Sequence, residues 1–577
     1  MLKLEVEKRL AGIISWGAVG ITILVTDRVS TDPVNVGKML LLSLLAGGCI
    51  GITSTSLKII FLRNRVLIIM ILLFLGFALI SIIYSLNPWE RGFYGAFGRN
   101  TGLLTYTSLA LIFISVSLLR QLENVERILR AFFLSGYLNL AYCLFASTGR
   151  DIFTWNNPYK KLLGTFGNPD FISAFMGFFI VGLFCLSISN GVHSSVRIFY
   201  WLSIVASLYA IKGTAALQGY VVCVTGILII IFFFIISRDL KPYVTYSYLV
   251  SMLILGFIAI AGTLQKGPLV SLLYKPSVSL RGEYWQAGIN MGTDNPILGV
   301  GLDSYGTFYR LYRDKSATIF PGVNTVADTA HNVFIDIFAG TGFPGLISYM
   351  GILVLILISA GRVIINQKIF DPLFVSLFSI WCVYQIQTII SINQIGLAIW
   401  GWVLGGTLIA YSKILLGKDT ESPKKKDTES PKKLVSILPS FNKRIKKKPE
   451  LQEVSAILIL TLLLGSSLGG LVAAPSFIAD TKLRNALRTQ DLEKFYSVGL
   501  LWPMDVTRTN QALVNIGKRE ISNNTINLAL SSVKKFPAEF PMYFTVWQLS
   551  STDSKQKAVY AKKLHTLDPH NPEFAPK

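Results

Sequence analysis

The sequence predicts an all-α polytopic membrane protein of about twelve to thirteen transmembrane helices, with a large extracytoplasmic loop and a small C-terminal helical domain. Three observations lead there. The 577 residues are 52% hydrophobic and only 15% charged, and the mean hydropathy is +0.53. Apolar runs of about twenty residues recur along the chain, each long enough to cross the hydrocarbon core as a helix. The segments between them alternate in charge as a fixed membrane orientation requires. A spanning segment has no water to satisfy its backbone, so these runs read as helices.

Taken in order, spans are expected near 10–27, 34–53, 66–86, 102–120, 130–149, 170–189, 196–212, 214–237, 243–264, 343–363, 370–391, 394–415 and 452–474. MLKLEVEKRLAG before the first reads as a retained signal-anchor, because no small-residue cleavage site follows it. With the N-terminus cytoplasmic, the inside segments hold Lys58, Arg63 and Arg65; Arg120, Arg127 and Arg130; Arg197; Arg238 and Lys241; Arg362 and Lys368; and the linker from Lys413 to Glu450. All are basic, which supports that orientation. The outside segments are then 28–33, 87–101, 150–169, a turn near 213, a loop at 265–342, a turn near 392 and the tail after 475.

The expected division is a membrane core at 1–416, a cytoplasmic linker at 417–451, a further span at 452–474 and an extracytoplasmic helical domain at 475–577. The linker repeats KDTESPKK in tandem at 418–425 and 426–433. Such a sequence buries no core and reads as a disordered tether or a headgroup-attracting tract. The tail has amphipathic helical spacing broken by WPMD, FPAEFP and DPHNP, a pattern like tetratricopeptide repeats. The five cysteines lie far apart inside apolar runs, with neither metal-ligand spacing nor a disulfide framework. The net charge of +22 sits mostly in loops and linker, and no nucleic-acid module is present.

Topology pressure does not explain polar and basic residues on the outer face, so these are the informative set. They fall in WERGFYGAFGRNTG (89–102), with Arg91 and Arg99; in NNPYKKLLGTFGNPDFISAF (156–175), with Lys160, Lys161, Asn168 and Asp170; and in the large loop. There Arg281 precedes a helical stretch with Tyr284 and Trp285, Pro296 and three glycines break the chain, and Arg310 and Arg313 follow among aromatics. Arginine forks suit phosphate oxygens and aromatic faces suit sugars, although both also snorkel at a membrane interface. His331 precedes an apolar run, with Asp328 one turn behind. It reads either as a base for a hydroxyl, oriented by Asp328, or as a structural ring where Asp328 or Thr329 caps a helix.

The order of these features, from Arg281 with Tyr284 and Trp285, through NPILGVG (295–301), to AHNVFIDIFAGTGFPGL (330–346), resembles the O-antigen ligase and polymerase family. GTFGNP (164–169) also resembles a segment of those proteins, and the resemblance covers about 60–415. It implies a GT-C-like glycosyltransferase of the bacterial plasma membrane, with an extracytoplasmic site. It implies a donor glycan on undecaprenyl pyrophosphate, a lipid, glycan or protein acceptor, and no metal or other cofactor. By that resemblance His331 and Arg281 are the catalytic candidates. Arg99, Lys212, Gln218, Arg310, Arg313, Trp285 and Asn332 are the substrate-binding candidates. In ALQGYVV, Gln218 stands where members often have an arginine, a departure that leaves a two-arginine pyrophosphate clamp incomplete unless Lys212 supplies the charge. Ligase, polymerase and protein O-oligosaccharyltransferase remain alternatives within the family, and a polysaccharide transporter or flippase outside it.

Overall fold

The structure is a computed structural model that describes residues 4–54, 61, 64–154, 157–238, 240–263, 266–270, 276–367, 369–417, 456–519, 521–549 and 554–575. The described residues are helical with connecting turns and include no strand. The apolar helices are α1 (Leu4–Ile23), α2 (Asn35–Thr53), α3 (Arg65–Tyr84), and, after the short α4 (Trp89–Tyr94), α5 (Leu103–Val116) and α6 (Leu122–Ala146). Then come α7 (Pro169–Ser187), α8 (Ser194–Thr214), α9 (Gln218–Ile236) and α10 (Pro242–Thr263). Loop helices α11 (Pro276–Asp294) and α12 (Tyr305–Tyr312) lead to α13 (Val333–Asn366), α14 (Pro372–Ile389), α15 (Ile395–Leu415) and α16 (Ala456–Thr489).

Every expected span overlaps one of these helices, and ten of them are long and apolar enough to cross a membrane. Leu103–Val116 and the apolar part of α10 are shorter. The first turns of α1 carry Glu5, Glu7, Lys8 and Arg9, which lowers its mean hydropathy. Lys58, Arg63, Lys368 and the linker beyond Gly417 lie outside the described residues.

Packing explains the order. α15 is buried along its whole apolar length and forms the axis of the bundle. α2 and α16 approach backbone to backbone, for a Cβ on Gly47, Gly51, Gly465 or Gly469 would strike the facing main chain. Small residues one turn apart are what permits such contact between membrane helices. Polar contacts sort the connecting segments into two ends. At one, Asn35 donates to Gly98 O at 2.7 Å, Gln394 donates to Asn35 at 3.0 Å, Ser85 donates to Val300 O at 3.0 Å, and Asp480 accepts from Thr31 N at 2.6 Å. At the other, buried Glu7 accepts from Arg120 N, Gln121 N and the Asn124 amide at 2.8–3.1 Å. The segments expected outside therefore share one end.

Two boundaries differ from expectation. α13 is one run of 34 residues broken at Gly342, whose φ of 68° and ψ of −171° turn the chain. The expected span at 343–363 is the part beyond that break, and the part before it belongs to the loop. α16 continues through Pro475, so no joint falls at the expected domain edge. Proline removes a single backbone bond there, and Asp480 then anchors the helix to Thr31 and Asp32. Among the described residues five α-helices follow: α17 (Leu492–Gly499), α18 (Val506–Gly517), α19 (Asn523–Lys535), α20 (Phe540–Leu549) and α21 (Ser554–Leu567). Each packs on its neighbour over small apolar clusters around Phe495, Phe536 and Phe540.

Candidate active site

The two glycine-rich motifs of the loop explain each other. NPILGVG lies across AGTG: Val300 N donates to Ala339 O at 2.8 Å, Gly301 N to Gly340 O at 3.1 Å, and Phe343 N to Pro296 O at 2.8 Å. Gly299 has a φ of 63°, and any Cβ on it would meet the carbonyl of Ala339. This crossing sets the first half of α13 against α11 and α12, over a core that includes Ala287, Met291, Tyr305, Tyr309 and Ala339.

His331 stands at the mouth of that half-helix with a φ of 54°, a left-handed backbone that non-glycine residues seldom adopt. Asn332 holds it there. Its side chain accepts from Phe334 N at 3.0 Å and Ile335 N at 3.2 Å, capping α13. Asn332, and not Asp328 or Thr329, is thus the cap. Thr329 instead accepts from His331 N at 3.3 Å, and Asp336 accepts from Ala330 N at 2.6 Å. The imidazole stacks on Tyr284, centroids 5.9 Å apart, and Tyr305 fixes that part of α11 by donating to Tyr284 O at 2.5 Å.

Charges from separate segments surround the ring. Arg99 forms two hydrogen bonds to Asp328, at 2.7 and 3.2 Å. Arg281 reaches Asp170, the second residue of α7, only at 3.9 Å. Burial and the neighbouring Arg281 charge, with Arg99 adding to them against the pull of Asp328, lower the His331 pKa to about 4. The imidazole is therefore neutral at physiological pH. Burial would raise the Asp328 carboxyl, but Arg99 and then His331 hold it below the usual range. The Arg99 loop is itself pinned by Asp303, which accepts from Ala96 N at 2.9 Å and from Thr101 at 3.1 Å. Below lies a water-sized cavity of about 30 Å³ lined by Arg99, Asp303, Tyr305, Asp336 and Asn393. Asp303 and Asp336 escaped the sequence reading, and nothing in their local spacing marks them.

The remaining candidates divide. Gln218 opens α9, and its neighbour Gly219 donates to Ser173, one turn along α7 from Asp170, at 3.0 Å. Both ends of its buried amide lack a protein partner. The Trp285 indole N–H is likewise unpartnered. Lys212 is exposed at the end of α8, where Leu162 N donates to Gly213 O at 3.3 Å. Arg310 and Arg313 are elsewhere: both bind Asp568 of the tail, at 2.9 and 2.8 Å. Arg313 also donates to Val323 O and Thr325 O. The buried Asp568 carboxylate thus holds both of these substrate-binding candidates. Among the described residues no three His, Cys, Asp or Glu side chains are grouped to hold a metal ion.

Residues 202–350, which include Arg281, NPILGVG and His331, match the family model described as O-Antigen ligase. No curated protein matches the chain. The match supports glycan transfer by a multi-pass membrane protein. With its loop motifs interlocked and its histidine under the charge of two arginines, the 202–350 region is similar to the O-antigen ligase family.

Proposed function

We propose that the protein transfers a glycan from a polyprenyl-pyrophosphate carrier to an acceptor hydroxyl at the outer face of the plasma membrane. The observation that carries this reading is the convergence of Arg281, Arg99 and His331, from three separate segments, with both arginine charges acting on the imidazole. Arg281, only loosely held by Asp170, binds the pyrophosphate, and Arg99 adds a second positive field. A bound pyrophosphate offsets the cations that lower the proton affinity of His331, so the imidazole becomes a better base once the donor is in place. His331 then takes the acceptor proton, the acceptor oxygen bonds to the anomeric carbon, and the carrier leaves as pyrophosphate. Charge growing on that leaving group is met by fixed cations in a partly dry site. The unpartnered amide of Gln218 and indole N–H of Trp285 supply neutral hydrogen bonds to the same substrate.

Addition of a defined lipid-linked glycan to purified protein tests this, with the recipient molecule identified. His331→Ala and Arg281→Ala should each lose about 10²–10³ in rate. Near-wild-type transfer by both, in folded protein, rejects the assignment. A lipid A core, the growing glycan or a protein side chain as recipient distinguishes ligase, polymerase and O-oligosaccharyltransferase. Transport of glycan without any transfer would select the flippase reading.

A further inference from the structure

A groove of about 690 Å³ lies between α1, α2 and α16, at the end of the bundle away from the candidate active site. Its walls are apolar, with Ile13, Leu41, Leu45 and Leu462 among them, and Gly12 and Gly17 add no side chain to it. Along α1 it runs from Glu5 to Gly17. Twelve residue rises of about 1.5 Å make that about 18 Å, close to one leaflet of a hydrocarbon core about 30 Å thick. The α16 wall is open, for only 6% of that helix's apolar window is buried inside the protein. In a membrane, hydrocarbon must cover it.

The mouth of the groove is charged, and unequally so. Lys8, Arg9, Arg127 and Glu5 line it, three cations against one carboxylate. Arg127 reaches across from α6 and donates to Lys8 O at 2.8 Å, which holds its guanidinium over Gly12. Arg9 is tied to Glu5 at 3.0 Å, with both side chains partly exposed. A cationic rim at headgroup depth above an apolar slot one leaflet long matches the two parts of a phospholipid.

We propose that this groove binds an anionic phospholipid. One acyl chain lies between α1, α2 and α16, the phosphate sits between Arg9 and Arg127, and Glu5 accepts from a headgroup hydroxyl. This site is independent of the transfer reaction proposed above.

Native mass spectrometry of the full chain in detergent tests the idea, with phosphatidylglycerol and phosphatidylcholine of identical acyl chains added. Phosphatidylglycerol adducts should survive activation at least several-fold better than phosphatidylcholine adducts. Arg9→Gln/Arg127→Gln should bring that preference close to one. Gly12→Leu projects into the slot, where only the flexible end of Arg127 comes within 4 Å of an added Cβ, and should abolish retention of either lipid. Lys160→Gln/Lys161→Gln, at the opposite end, should change nothing. Equal retention of the two lipids overturns the proposal, as does an unchanged preference in the arginine variant or equal loss in the Lys160/Lys161 control. Should the arginine variant fail to fold, undiminished adducts in Gly12→Leu overturn it alone.

Discussion

Asp568 ties the tail to the loop that carries the candidate site, and its removal has a calculable consequence. Its carboxylate is fully buried and is held by Arg313 through two hydrogen bonds of 2.8 Å and by Arg310 through one of 2.9 Å. Arg310 also lies over the Phe540 ring, 4.3 Å from its centroid. Asp568→Ala leaves two guanidinium groups without their anion, one of them in a site with no water access. Breaking a buried pair in this way costs about 3–5 kcal/mol, because a stranded charge is worse than none. At about 1.4 kcal/mol per decade, the opening equilibrium between tail and loop shifts by roughly two to nearly four decades. Hydrogen exchange reads this directly: α12 and residues 540–575 should lose protection together while α7, α14 and α15 keep theirs. Arg313→Met/Asp568→Leu should restore much of the protection, since similar-sized apolar partners remove both charges at once. Exchange in Asp568→Ala within about twofold of the wild type would refute the reasoning. The docking would then rest on the second clamp, where Glu539 accepts from Arg91 at 3.1 Å and from Thr307 at 2.6 Å.

Four further outcomes are expected. Because the His331 pKa is lowered to about 4, the acid limb of kcat/KM for the free protein should fall well below pH 6.5, and a wild-type limb at 6.5 rejects a buried neutral ring. The same depression means the unfolded chain takes up a proton that the folded one refuses; stability from this group is complete above pH 6.5 and is lost as pH falls toward 4, and His331→Gln should flatten that part of a melting-temperature profile. Gly342→Ala should destabilise by about 1–3 kcal/mol from its backbone conformation alone. An added Cβ would also meet Pro296 O at 2.5 Å, so the melting temperature should drop more than for Gly361→Ala, where nothing lies within 4 Å. Asp303→Ala frees the Ala96 N–H and the Thr101 hydroxyl, and should lower transfer through a displaced Arg99 while leaving the melting temperature of the membrane helices nearly unchanged.

The helices were legible because the bilayer imposes a strong and local rule: apolar for about twenty residues, then charged. Each expected span met a helix for that reason, and the basic and mixed segments sorted to opposite ends. The rule is silent where water returns. It placed a boundary at Pro475, yet the helix runs on to Thr489 because Asp480 gives the emerging turn a partner on the first outer loop. It showed His331 beside Asn332 but could not assign the cap, which depends on backbone angles. DPHNP read as a turn, and its aspartate proved to be the anchor of the domain, 255 residues from Arg313. No local pattern encodes a pairing across that distance.

Arg310 and Arg313 expose the sharper problem, because a guanidinium fork suits a phosphate and a carboxylate equally well. Residue type therefore cannot separate a ligand-binding arginine from a structural one; the state of its partner can. The Asp568 side chain is 0% exposed, so displacing it means burying an unpaired carboxylate, and no incoming anion gains enough to do that. Asp328 and Asp170 are 47% and 46% exposed, and each can turn to water at small cost when a stronger anion arrives. Partly exposed pairs of this kind give way more readily than the fully buried clamp. By that criterion we propose that Arg99 and Arg281 are on loan to their aspartates, and that Arg310 and Arg313 are not. The criterion is testable as a whole. Inorganic pyrophosphate should protect α11 and the Arg99 loop from hydrogen exchange in the wild type but not in Arg281→Ala, and should leave the Asp568 clamp unaffected in both. Protection at the clamp instead would reverse the assignment of all four arginines.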